Sequence, residues 1–190
     1  MDEKVFVRQI KAFQPCCEQE IMDKELILGL CGEDDILTRA NRTCHITSSG
    51  LILNGNLDKM LMVHHNIYKT WTWTGGHADG EDDLEAIALR EAAEETGAAG
   101  VELLWKDMAS LDIIPVFGHV KNGVYVSAHL HLNAAYLLRA PEGPPLTVRE
   151  GENSGVAWTP LAEAAERSKE PELIRIFGKM LSRLDIILPL

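Results

Sequence analysis

Residues 75–97 read GGHADGEDDLEAIALREAAEETG, and they predict a glycine pair followed by an acidic helix. Between Asp83 and Thr96 nearly every residue is a strong helix former, and Gly97 follows as a natural C-cap. At 100° per residue, most of the alanine and leucine side chains share one broad arc of this helix. Another arc carries three carboxylates, Glu91, Glu94 and Glu95. The helix is therefore predicted to have a small-residue packing face and a carboxylate face.

The carboxylate face crowds like charges near the C-terminal end of the helix. The i,i+3 and i,i+4 spacings of its glutamates cost a few tenths of a kcal/mol each, and the helix dipole disfavours anions there. Residues 79–95 hold eight acidic residues and one basic residue, Arg90, so this window carries −7 of the formal −11. Hard oxygen ligands at this density suit Mg²⁺ or Mn²⁺, and a solvated acidic helix face is the alternative.

The pattern from Gly76 to Ala98 resembles the Nudix box, which places glycines, an Arg-Glu pair and a Glu-Glu pair at fixed intervals. The matching positions are Gly76, Arg90, Glu91, Ala92, Glu94, Glu95, Gly97 and Ala98. Asp82 falls where the box has its first glutamate, and the neighbouring Glu81 is a second candidate for that role.

The resemblance implies a fold of the α/β class, α+β type: the Nudix fold, a mixed β-sheet sandwiched between α-helices. The predicted order of elements agrees with it, because helical segments flank Pro15, a hairpin surrounds residues 54–56, and two helices end the chain. Residues 1–40 are predicted to be an N-terminal helical extension packed on the same domain. Residues 41–190 are predicted to be the Nudix hydrolase domain.

The resemblance also implies a reaction, the metal-dependent hydrolysis of a nucleoside diphosphate linked to another moiety X, with water attacking phosphorus. The expected cofactor is Mg²⁺ or Mn²⁺. The implied metal ligands are Gly75, through its carbonyl, and Glu91, Glu94 and Glu95. The implied catalytic residues are Glu91, Arg90, Glu94 and Glu152, the last of which lies in a loop before the strand of Trp158. A solvated loop acid is the alternative for Glu152.

Histidines near the box are candidates for substrate binding. In VYVSAHLHLN, residues 124–133, alternation puts Val124 and other apolar residues on a core face and His129 and His131 on a polar face. The polar face is predicted to line a substrate cleft, and His77, directly after the glycine pair, is predicted to lie near phosphate. Packing or solvation of these histidines is the alternative, and zinc binding by the i,i+2 pair is a third interpretation.

Composition bounds the remaining classes of function. A chain of 190 residues that is 46% hydrophobic and 25% charged fits a single enzyme domain. Its acidity argues against a nucleic acid polymer as partner. Four cysteines without a CxxC pair predict reduced thiols and a cytoplasmic location. The sequence lacks an uninterrupted run of about 18 apolar residues, so no membrane partner is predicted. The N-terminal helices offer a surface for a homodimer.

Two other functions remain open at this stage. A Nudix-fold nucleotide-binding or regulatory module would keep the pocket with little catalytic activity. Isopentenyl diphosphate isomerase shares the fold, but it needs a catalytic cysteine in its own motif, and Cys44 lacks that context. The sequence names neither the moiety X nor the preferred nucleotide.

Overall fold

The computed structural model describes residues 3–121 and 123–187. Residues 1–2 of the predicted N-terminal extension and residues 188–190 of the predicted hydrolase domain lie outside the described residues. The helices are α1 (Val5–Ala12), α2 (Glu18–Leu30), α3 (Leu84–Thr96), α4 (Leu161–Arg167) and α5 (Pro171–Ile187). The strands are β1 (Cys44–Leu53), β2 (Lys59–His65), β3 (Thr70–Thr72), β4 (Thr74–His77), β5 (Glu102–Leu103), β6 (Ser110–Val116), β7 (His119–Lys121), β8 (Val124–Val126), β9 (His129–Arg139) and β10 (Asn153–Pro160). None of the described helices is long and apolar enough to cross a membrane.

The main sheet is mixed, as predicted. Its strands follow the order β10-β2-β1-β9-β5, and β3, β4 and β6 pair with β2, β1 and β9 respectively. The β1 and β9 strands run parallel and place His45 opposite His131, whereas the other pairs in this sheet are antiparallel. The predicted hairpin about residues 54–56 is confirmed, because β1 pairs with β2 across that turn.

Helices cover both faces of the main sheet, which confirms the predicted sandwich. On one face, α1, α2 and α3 bury apolar side chains against Ile46 and Ile52 of β1. On the other face, α4 and α5 pack against Leu51 and Leu53 of the same strand. Successive strand residues point to opposite faces, so β1 can be apolar on both sides where helices cover it.

The box helix α3 forms where the sequence predicts it. The Asp83 carboxylate caps its first turn by accepting the amide hydrogen of Ala86, and Gly97 ends it in the left-handed conformation at φ 63°. Leu84, Ile87 and other small or aliphatic residues of the helix are fully buried. These contacts hold the carboxylate face of α3 in a fixed position beside β4.

The N-terminal helices dock against the start of α3 and against α5. The backbone amide of Val5 donates to Asp82 at 3.0 Å, and the amide of Leu84 donates to Gln9 at 3.0 Å. Fully buried Glu20 of α2 pairs with Arg183 of α5 at 2.6 Å. Helices α1 and α2 therefore share the core of the rest of the chain, and the boundary at residue 40 stays a prediction.

The continuation of β9 toward Val124 was predicted wrongly. Val124 lies on β8, which pairs with β7 in a separate two-stranded sheet, and the residue is 66% exposed. The alternating pattern is interrupted at residues 127 and 128, where the strand breaks, so the core face begins only at Leu130 and Leu132. The β7–β8 hairpin instead forms one wall of a cleft.

Candidate active site

The glycine pair of β4 lets the backbone approach α3 and β1 closely. A Cβ atom on Gly75 would lie 2.4 Å from the Oγ atom of Ser49, and one on Gly76 would lie 2.5 Å from the Cδ atom of Glu91. At Gly75 the Cβ atom would also lie 2.9 Å from the backbone oxygen of Ser48, so a larger residue does not fit there, whereas at Gly76 it would displace the Glu91 side chain. The two glycines therefore bring the β4 backbone against the carboxylate face of the helix.

Glu95 is the most buried carboxylate of that face, at 5% exposure. The backbone amide of Gly75 donates to its Oε2 atom at 3.3 Å. Burial, and after it the negative charge of Glu91, raises the pKa of Glu95 to about 8. At neutral pH the metal-free side chain therefore holds a proton.

Three further carboxylates converge on Arg149, in the loop before β10. Its guanidinium lies 3.1 Å from Glu91, 3.0 Å from Glu94 and 3.3 Å from Glu152. The Arg149 guanidinium thus links Glu152 in the loop to Glu91 and Glu94 of the box helix. Arg149 is a functional candidate that the sequence did not predict, because its position opposite α3 depends on where the loop folds.

On the other side of Glu91, Arg90 holds both oxygens of Glu81 at 2.6 Å and one oxygen of Glu91 at 3.4 Å. Asp82, which aligns with the first glutamate of the box, accepts the Val5 amide instead. Of the two acids that the sequence left open, Glu81 is the one in contact with Arg90. The Glu91 side chain, only 12% exposed, is held between two guanidinium groups.

The residues around Glu91 fit a divalent cation. The carboxylates of Glu91, Glu94, Glu95 and Glu152 offer hard oxygen donors, which Mg²⁺ and Mn²⁺ prefer. Burial is the larger cause of the raised pKa of Glu95, and the negative charge of Glu91 is the second. A dication there would let Glu95 ionise without repulsion, which is the chemistry that the spacing of the box acids predicts.

A cleft of about 950 Å³ opens beside the carboxylates. Gly75, Gly76 and Glu95 line its inner end, and its rim carries three aromatic side chains, Tyr68, Phe117 and Tyr125. Phe117 and Tyr125 are largely exposed, and Tyr68 is 42% exposed. The volume and the mixed lining are typical of a pocket for a small molecule.

Histidines form one wall of this cleft. The predicted residues His77, His129 and His131 lie there, together with His45 of β1, which the sequence did not single out. The ring of His45 lies 4.9 to 5.1 Å, centroid to centroid, from each of the other three rings. Burial lowers the pKa of His77 to about 3 and that of His131 to about 2. These rings are therefore neutral at pH 7.

The structure brings the predicted residues into two adjoining groups. The first contains Gly75, Arg90, Glu91, Glu94, Glu95 and Glu152. The second contains His77, His129 and His131. The missed members are Arg149 and His45, and the only sequence signal for His45 is the polar alternation of His45, Thr47 and Ser49 at the start of an otherwise apolar strand.

Comparisons with known proteins agree with this geometry. A family model described as NUDIX domain matches residues 45–179, whereas no curated protein matches the chain. A NUDIX-family hydrolase from Clostridium perfringens is 20% identical with a TM-score of 0.53, over 76% of this chain and 99% of that chain. The NUDIX domain of Shewanella oneidensis NrtR complexed with ADP ribose is 18% identical with a TM-score of 0.55, over 82% and 96%. The E. coli dihydroneopterin triphosphate pyrophosphohydrolase is 14% identical with a TM-score of 0.55, over 73% and 95%.

At these identities the solved structures show a shared fold alone. The family model adds the evidence of sequence, since it matches most of the chain and includes the whole box. The observed mixed sheet between helices is the fold of these relatives. The chain therefore belongs to the Nudix family of pyrophosphohydrolases.

Proposed function

We propose that this protein hydrolyses the diphosphate linkage of a nucleoside diphosphate joined to a moiety X, in a reaction that requires Mg²⁺ or Mn²⁺. The observation that carries the proposal is the convergence of Glu91, Glu94 and Glu152 on Arg149, next to buried Glu95. Glu95 lines the nucleotide-sized cleft, and it also lines a smaller cavity together with Glu91 and Glu152. Carboxylates at this junction suit a cation that bridges protein and phosphates.

In this proposal the cation is held by the carbonyl of Gly75 and by Glu91, Glu94 and Glu95. When bound, such an ion lowers the pKa of a water molecule and neutralises charge on phosphate oxygens. The protein contributes the fixed positions of these ligands. Gly75 is fixed by pairing with Ser49 on β1, and Glu91 is fixed between Arg90 and Arg149.

The remaining catalytic roles follow from exposure and contacts. Glu152 lies on a loop, partly exposed, and Arg149 holds it toward the box helix at 3.3 Å. We assign Glu152 the role of accepting the proton of the attacking water, with Glu91 as the second candidate for that role. Arg90 orients Glu91, because its guanidinium is itself fixed by Glu81.

The cleft supports a nucleotide as the substrate. The exposed rim aromatics offer faces on which a base can stack. At the inner wall, His77, His129 and His131 are placed to contact phosphate or the moiety X. The NrtR domain, which shares the fold, is complexed with ADP ribose, so ADP-ribose is included among the compounds to test. A homodimer and a cytoplasmic location stay predictions.

The test is product release from nucleoside triphosphates, oxidised nucleotides, ADP-ribose, dinucleoside polyphosphates and sugar nucleotides. Each reaction is run with Mg²⁺, with Mn²⁺ and with a chelator. We expect turnover of at least one compound and its loss in the chelator. Metal-dependent binding without turnover of any compound would instead favour the alternative, a Nudix-fold binding or regulatory module.

Arg149→Gln is expected to tighten the binding of Mg²⁺ by up to about tenfold, since one guanidinium no longer competes for three carboxylates. The same change should lower Tm in chelator, because those carboxylates lose their shared cation. Calorimetric titration of Mg²⁺ without substrate measures the affinity. Arg139→Gln is the control, because Arg139 pairs with Glu102 on the exposed edge strand at 2.7 Å. Weaker Mg²⁺ binding in Arg149→Gln would contradict the assigned role.

A further inference from the structure

Three neighbouring strands bring three imidazoles to one face of the main sheet. His45 lies opposite His131 in the parallel pairing of β1 with β9. His77 lies opposite Thr47, the next residue of β1 on the same face as His45. One ring nitrogen of each histidine lies within 4.8 Å of one ring nitrogen of the other two. This group is separate from the carboxylates on α3, and it offers nitrogen rather than oxygen.

The tautomer of His45 leaves a lone pair directed into this group. The Nδ1 atom lies 3.0 Å from the carbonyl oxygen of Asn41, and because a carbonyl only accepts, Nδ1 must carry the hydrogen. The Nε2 atom of the neutral ring is then an acceptor. It is buried and has no hydrogen-bond partner within the described residues, in a side chain that is 4% exposed. A buried acceptor without a partner costs free energy that packing alone does not explain.

A second ring repeats this arrangement at the edge of the group. The Nδ1 atom of His129 lies 2.8 Å from the carbonyl of Ser127 and donates to it. Its Nε2 atom faces the Nε2 atom of His131 at 3.2 Å. With its hydrogen on Nδ1, His129 accepts at Nε2, so the Nε2 atom of His131 is the donor of this hydrogen bond and the lone pair of His131 lies on Nδ1. A backbone carbonyl that holds the outer nitrogen is the usual support of a metal-binding histidine.

We propose that His45, His77 and His131 form a binding site for one Zn²⁺ ion, with the fourth position open to the cleft. Imidazole nitrogens suit borderline transition ions rather than Mg²⁺. In a tetrahedral site with Zn–N bonds of about 2.0–2.1 Å, ligand nitrogens lie roughly 3.4 Å apart, so small side-chain rotations close the group. An open fourth position is typical of zinc sites that bind a substrate oxygen.

Charge around the group permits a cation. Arg39, Arg42 and Lys121 line the same cleft, and the Nε atom of Arg39, whose charge lowers the pKa of His77, donates to Asp79 at 2.9 Å, so that charge is paired. The proposal concerns metal binding alone, and it does not depend on the hydrolytic activity.

The experiment uses the full chain, stripped with chelator and then dialysed against Zn²⁺ in the presence of excess Mg²⁺. We expect elemental analysis to find one Zn²⁺ per chain, and Co²⁺ in its place to give the strong visible absorption of a tetrahedral site. His45→Gln and His131→Gln should each weaken Zn²⁺ binding at least tenfold. His64→Gln, on neighbouring β2 and outside the group, and Glu94→Gln, in the carboxylate site, should bind Zn²⁺ as the wild type does.

A folded wild-type protein that retains no Zn²⁺ overturns the proposal, as does undiminished binding by both histidine variants. Circular dichroism establishes that each variant is folded. If His45→Gln does not fold, His77→Gln replaces it, since His77 is only partly buried. Zinc binding is measured without substrate, so a protein that binds Zn²⁺ but hydrolyses nothing refutes the proposed activity and leaves this site standing.

Discussion

Glu94→Gln is expected to lower turnover at saturating Mg²⁺ on the order of a thousandfold while the fold is retained. The variant keeps the shape of the side chain and removes one anionic ligand from the proposed cation site. Stability should barely change, because the Glu94 side chain is 45% exposed and its ion pairs with Arg149 and Arg90 are correspondingly weak. Losing one of several crowded carboxylates also relieves repulsion.

The measurements are kcat on a compound of the panel that the wild type hydrolyses, and Tm with and without Mg²⁺. Glu85→Gln is the matched control, because Glu85 lies in the first turn of the same helix and outside the carboxylate group. We expect the control to keep wild-type turnover and Glu94→Gln to lose the stabilisation that Mg²⁺ gives. Turnover within tenfold of wild type at saturating Mg²⁺ would remove Glu94 from the set of ligands.

Local signals in the sequence predicted the elements that depend on near neighbours. The box helix needed only its helix formers, the Asp83 cap and the Gly97 stop, and all three act within the helix or one residue beyond it. The first hairpin needed only the turn about residues 54–56. The mixed sheet and its covering helices were implied by resemblance to the family, since the parallel β1–β9 pairing leaves no local signal.

Residues that reach the site from distant parts of the chain escaped prediction. Arg149 pairs with Glu91, which lies 58 positions earlier in the sequence. The loop that carries Arg149 has no hydrophobic periodicity from which its position could be predicted. His45 meets His131 only through the register of a parallel pair, which strand alternation alone does not specify. Alternation did place His129 and His131 on one face, but it failed at Val124, where β8 leaves the main sheet.

Glu95→Gln is expected to stabilise the metal-free protein by about 3 kcal/mol at pH 7 and by up to about 5 kcal/mol above pH 8. The pKa of Glu95 is raised from 4.5 to about 8 in the folded protein, first by burial and then by Glu91. Between these values the unfolded chain loses this proton and the folded chain keeps it. Wild-type stability therefore falls as pH rises from 4.5 to 8, whereas glutamine is neutral in both states and still accepts the Gly75 amide.

Urea unfolding in chelator, from pH 5 to pH 9, measures this difference. We expect the wild type and Glu95→Gln to differ by less than about 1 kcal/mol at pH 5 and to diverge as pH rises. Glu102→Gln, on the exposed edge strand β5, is the control and should follow the wild type. Parallel curves for Glu95→Gln and wild type would show that the folded protein does not hold the proton. Added Mg²⁺ should reduce the gap at pH 8, because a carboxylate that binds the ion no longer bears the cost of an unpaired buried charge, and glutamine has no charge to offer it.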